Sequence, residues 1–183
     1  MTRLTSDALS RLQRRVLNEI PDRFRFARIL AVLALNEEAG ELLAEFSRIE
    51  PDGVVSKEFA SELGDVVLSA IEIANAYGLE LQHDAEFSAN GDRRGQLFSL
   101  CETVFQINRD VLELEGFDCD ERAALHERLN RLVRIAELLA SAFHADILNI
   151  FEEKFARIVG LVEDGSWERR YGDLLLAKRK KFD

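Results

Sequence analysis

Two cysteines, two prolines and three histidines in 183 residues exclude several classes of protein at once. Cys101 and Cys119 are too few for a disulfide framework and match no metal-ligand spacing, so reduced thiols in a cytoplasmic protein are expected. A di-iron carboxylate bundle needs Glu-x-x-His on two helices. The chain offers one such match, Glu80 with His83, past the end of a helical segment, while His126 and His144 have no glutamate three residues before them. No run of apolar residues reaches the roughly 18 that a membrane span requires. The opening stretch MTRLTSDALSRLQRRV has no continuous apolar core and does not read as a secretory signal. Positive charge is also short: 24 Lys and Arg face 34 Asp and Glu, for a formal charge of −10. That balance argues against nucleic acid or an anionic membrane as partner, since either calls for a basic footprint. Anionic small molecules stay open, because a bound metal ion inverts the local field.

What is present is helix-forming. Apolar residues make up 47% of the chain, enough for a core. Leu, Ala, Glu and Arg dominate with few β-branched clusters, which predicts an all-α fold in a single domain over 1–183. Apolar periodicity predicts helices at about 6–20, 23–49, 56–77, 95–115, 118–143 and 146–162. They are punctuated by Pro21, the Pro51–Gly53 turn, Gly78, the loop-like SANGDRRG and Gly116. Ser56 is placed to cap the third helix, and Asp118 with Glu121 to form a capping box. The tail over 166–183 is short and basic.

The two halves look related. ELGDVVLSAIEIANAYGLEL (62–81) lies over RLNRLVRIAELLASAFHADI (128–147) without a gap, matching Leu63 to Leu129, Val67 to Val133 and Tyr77 to Phe143. A degenerate duplication follows, with 1–90 as one repeat and 95–165 as the other. Glu62 is replaced by Arg128 and Asp65 by Arg131.

The stretch NEEAGEL (36–42) sets Glu37 against Glu41 at i,i+4 with no lysine or arginine one turn away. Such like-charge pairs cost a helix roughly 0.2–0.5 kcal/mol each. Glu38 and Glu41 share one side of the second helix, and Glu62 and Asp65 one side of the third. An antiparallel pair closed by the Pro51 turn would bring both to similar heights, with Glu38 and Glu62 bordering the apolar arc and Glu41 and Asp65 further round. Hard oxygen donors so arranged select Mg²⁺ or Mn²⁺. The competing reading is a solvated helix face, but the fifth helix presents mixed charge, with Glu127 and Arg131 spaced as a favourable pair. Lys154 and Arg157 share a helix face suited to phosphate, and the amides of Gln13 and Asn75 could read a base edge.

EEAGEL followed by ELGDVV and then GLEL resembles the MazG-type all-α nucleoside triphosphate pyrophosphohydrolases, whose signature is EExxE, a spacer and ExxD. The match covers 37–65 strictly and about 5–81 loosely. The resemblance implies a MazG-like helical bundle in which Glu38, Glu41, Glu62 and Asp65 bind Mg²⁺, with Glu37 as the leading glutamate of the motif and Glu37 and Glu38 in the catalytic set. It implies cleavage of a nucleoside triphosphate between its α- and β-phosphates to a monophosphate and pyrophosphate. It also implies a lysine and an arginine in the following helix, for which Lys154 and Arg157 are the candidates. Family members commonly pair as dimers; a decayed second repeat would make this chain an intrachain pseudo-dimer, able to stand alone or to form a homodimer. A non-catalytic nucleotide-binding or protein-interaction module on the same fold is the alternative.

Overall fold

A computed structural model describes residues 4–21, 28–49, 56–83, 87, 91–116, 122–167 and 169. Among them every regular element is a helix: α1 (Ser6–Glu19), α2 (Arg28–Phe46), α3 (Lys57–Ala76), α4 (Arg93–Gly116), α5 (Arg122–Ala142) and α6 (Ile147–Glu163). None of these is long and apolar enough to cross a membrane.

Local chemistry sets the ends. Thr5, Ser56 and Asp146 occupy N-caps, and their side-chain oxygens accept from the backbone N–H groups of Ala8, Phe59 and Leu148. Each satisfies a donor that a helix start otherwise leaves without a partner. After α3, Gly78 takes φ 65°, which lets the Leu79 N–H return to the Ala74 carbonyl at 2.8 Å. After α5, His144 takes φ 60° in the same role, and the Ala145 N–H reaches the Ala140 carbonyl at 2.9 Å. Both are left-handed C-terminal caps, one built on glycine and the other on a residue that resists that conformation.

α2 ends at Phe46, a turn before the expected Ile49. The Ser47 hydroxyl donates to the Ala44 carbonyl at 2.7 Å, and Arg48 N–H turns to Glu45 O at 3.0 Å, so the chain tightens out of the helix. The early part of the expected second helix, the capping box at Asp118 and Glu121, Cys119 and the end of the tail lie outside the described residues.

α2 and α3 run antiparallel. Arg28, at the start of α2, donates to the carbonyl of Ala76 at the end of α3, while the Phe46 and Phe59 rings meet at the other end with centroids 6.2 Å apart. α4 and α5 form a second hairpin, with Arg93 donating to the Ala142 carbonyl at 3.0 Å. α3 is the central element. It packs against α1, α2, α5 and α6, and its residues from Leu63 to Ile71 are buried without interruption. A helix apolar on all sides belongs inside a core. Its acidic residues Glu62, half-buried beside that run, and Asp65, buried within it, therefore stand where carboxylates are costly.

Candidate metal centre

Glu37, Glu38 and Glu41 come from α2 and Glu62 and Asp65 from α3. One carboxylate oxygen from each of Glu38, Glu41 and Glu62 can be chosen such that all lie within 4.8 Å of one another. An octahedral Mg²⁺ with ligands near 2.0–2.1 Å holds its oxygens roughly 3–4 Å apart, so small rotamer changes would draw these three into a coordination shell. The donor set is all oxygen, as a hard divalent cation prefers. Glu37 is exposed on the neighbouring face of α2.

Asp65 differs from its expected position. It lies not further round the helix but inside, 9% exposed, because α6 covers that side of α3. Lys154 of α6 forms an ion pair with Asp65 and donates to Ser61 Oγ at 3.0 Å. The fourth carboxylate thus already has a cationic partner from the far half of the chain.

Crowding shows in the acid–base properties. Burial pushes Glu38 up to about 8, with the charges of Asp65, Glu62 and Glu41 adding to the effect and Lys154 opposing it. Glu62 is pushed up to about 7, first by burial and then by Asp65. Asp65 is raised by burial in spite of its lysine. Carboxylates held this far above their ordinary range mark a place where a cation would be stabilised.

A cleft of about 270 Å³ has Lys57, Ser61, Glu153, Lys154 and Arg157 in its walls and adjoins the acids through Lys154, the partner of Asp65. Arg157 also acts on Asp65 through its charge. The structure therefore brings both candidate phosphate ligands to the acidic site. Lys57 and Ser61 were missed in the sequence, where each reads as an ordinary polar residue in a helix's first turns.

Gln13 and Asn75 sit elsewhere, along an open groove of about 660 Å³ that also includes Arg11, Arg14 and Glu80. Gln13 is 6% exposed and its amide is occupied. It donates to the Leu79 carbonyl at 2.9 Å and to Asn75 Oδ1 at 3.2 Å, and it accepts from the Leu81 N–H at 2.7 Å. Asn75 in turn donates to the Gln13 carbonyl at 3.3 Å. These bonds fasten the chain leaving α3 onto α1.

One further expectation needs correcting. Arg131, spaced to pair with Glu127, lies instead over the ring of Phe87, 4.6 Å from its centroid. A partly desolvated ring outcompetes an exposed i,i+4 partner. His83, the one match to a Glu-x-x-His pattern, bonds Glu137 at 3.0 Å, while Glu80 accepts from Ser10 Oγ at 2.9 Å.

Comparison with models of protein families, with curated proteins and with solved structures gives no match.

Proposed function

We propose that this chain is a Mg²⁺-dependent hydrolase that cleaves nucleoside triphosphates between the α- and β-phosphates, releasing a monophosphate and pyrophosphate. The observation that carries the reading is the meeting of Glu38, Glu41 and Glu62 within 4.8 Å, beside a cleft with Lys57, Lys154 and Arg157 in its walls. Acidic donors would hold the metal and the basic wall would take the phosphates. Mg²⁺, or Mn²⁺, would neutralise phosphate charge and lower the pKa of a bound water. Glu38 and Glu62 hold protons near neutrality and would release them as the cation arrives. Lys154 would turn from Asp65 to the polyphosphate, freeing that carboxylate as a fourth ligand. Glu37, exposed and one residue before Glu38, would orient the attacking water.

The MazG-like bundle and the intrachain pseudo-dimer belong to the same reading. In their support, the caps after α3 and α5 repeat at the same 66-residue shift that lays Glu62 over Arg128. A non-catalytic nucleotide-binding module is the second reading, favoured by one contact: the Lys154–Asp65 pair already supplies an internal counter-ion.

Pyrophosphate release from a panel of canonical and modified nucleoside triphosphates, with Mg²⁺ and then with EDTA, tests the proposal. Metal-dependent release that disappears in Glu38→Gln supports the hydrolase. Nucleotide binding without release on every member of the panel would leave the binding module.

A further inference from the structure

Asn36 of α2 and Asn108 of α4 exchange hydrogen bonds, each Nδ2 donating to the other's Oδ1, at 2.8 and 2.6 Å across a separation of 72 residues. Such reciprocity is what two copies of one position make across a twofold axis. The same shift carries four of the six buried positions of α2, Ala31, Val32, Leu35 and Ala39, onto Thr103, Val104, Ile107 and Val111 of α4, all buried, and Leu42 onto half-buried Leu114, while Leu30 falls on exposed Glu102. α2 and α4 are thus in register at 72 residues, while α3 and α5 are in register at 66, the connection in the second hairpin being shorter.

With both registers fixed, each residue of the acidic cluster has a counterpart. Glu38 falls on Asp110, Glu41 on Glu113 and Glu37 on Arg109, while Glu62 falls on Arg128 and Asp65 on Arg131. Five acids become two acids and three arginines. Where Glu38 and Glu62 converge in the first hairpin, Asp110 and Arg128 are joined directly as an ion pair. Asp110 is 1% exposed, and its Oδ2 has no hydrogen-bond partner among the described residues. A lone carboxylate in that position would be strongly disfavoured.

We infer that the α4–α5 hairpin holds a second copy of the acidic site in which the Arg128 guanidinium stands where a divalent cation would. The half of the chain built on α4 and α5 consequently needs no metal. The inference rests on the pseudo-dimer and not on catalysis. It also means that the counterpart of the Glu38, Glu41 and Glu62 place is occupied by the chain's own Arg128 side chain, through its ion pair with Asp110.

The test is to reverse the exchange. Arg109→Glu, Arg128→Glu and Arg131→Asp are introduced together into a Glu38→Gln, Glu41→Gln background, so that the first cluster is silent. Mn²⁺ bound per chain is then counted by electron paramagnetic resonance. The background with native arginines is expected to bind none, and the reverted protein one. A folded reverted protein that binds none overturns the inference. Should the reverted protein fail to fold with or without Mn²⁺, Arg128→Gln decides. Its melting temperature is expected to fall by roughly 10 °C, as breaking a buried ion pair implies, and Asp110→Asn to restore most of it. An unchanged melting temperature, or a drop that Asp110→Asn does not reverse, overturns the inference. Metal binding by the native chain is a separate measurement: its absence would sink the proposed hydrolase while leaving this result standing.

Discussion

A Cβ built on Gly64 would lie 3.3 Å from the Cβ of Lys154 and 3.2 Å from Ile150 Cγ2. α3 and α6 therefore approach closely one residue before Asp65, at a position where α3 carries no side chain. That approach is what lets a lysine on the last helix reach an aspartate on the third.

Gly64→Ala should force the two helices apart. Overpacking of this kind costs about 1–3 kcal/mol, partly offset by alanine's better helix propensity. Metal-dependent activity is expected to fall more than stability does, because the Lys154–Asp65 geometry depends on that contact. Thermal melting alongside pyrophosphate release measures both. Equal loss of neither would mean that α6 adapts without moving its lysine.

Glu38→Gln should act in opposite directions on stability and function. Removing a crowded, desolvated carboxylate relieves repulsion, so the metal-free variant is expected to melt higher than the parent at pH 8–9, with each kcal/mol worth roughly 2–4 °C in a chain of this size. Cation binding should weaken at least tenfold. A variant that melts lower in the absence of metal would show that the carboxylate is held by contacts other than its acidic neighbours.

The metal-free protein should lose stability as pH rises. Glu38 at about 8 and Glu62 at about 7 hold protons more tightly than in an unfolded chain, where both titrate near 4.5. Their protonated forms favour the fold fully below that value, and the benefit is lost as pH climbs through 7 and 8. Melting temperature measured from pH 5 to 9 should decline without metal and flatten with Mg²⁺. Calorimetry at pH 7 in two buffers should also register proton release on metal binding. A flat metal-free profile would contradict the crowding.

Gln13→Ala should be a stability variant. It leaves the buried Leu81 N–H and the Leu79 carbonyl without their partner, a loss of about 2–3 kcal/mol. If the amide only fastens the segment after α3, KM should change by the same factor for every nucleotide tried. A change confined to one base would return Gln13 and Asn75 to the substrate.

Much of this was legible in the sequence, for local reasons. Ser56 and Gly78 mark helix ends through chemistry confined to a few residues, and both act there in the structure. The approach of Glu38, Glu41 and Glu62 was also legible, since the i,i+3 spacing of Glu38 with Glu41 and an antiparallel α3 leave few ways to arrange them, whereas the burial of Asp65 against α6 was not. What could not be read was which helix covers α3. That depends on Gly64, a glycine indistinguishable in sequence from a tolerated helix interruption, meeting Ile150 and Lys154 far along the chain. The role of Gln13 was hidden for a related reason. Besides Asn75, its partners are backbone groups of residues 79 and 81, and backbone groups leave no trace in side-chain patterns. Asp110 escaped notice because the register of α4 against α2 is set by a tertiary contact between two asparagines.

α6 closes on α3 across 93 residues, the separation between Lys154 and Ser61. A contact so distant forms only after the intervening chain has been ordered, since loop closure must be met before the contact stabilises anything. Synthesis places Glu38, Glu41, Glu62 and Asp65 in the chain well before Lys154. The counter-ion of Asp65 is therefore the last part of the arrangement to be made, and whatever state lacks a docked α6 also lacks that charge.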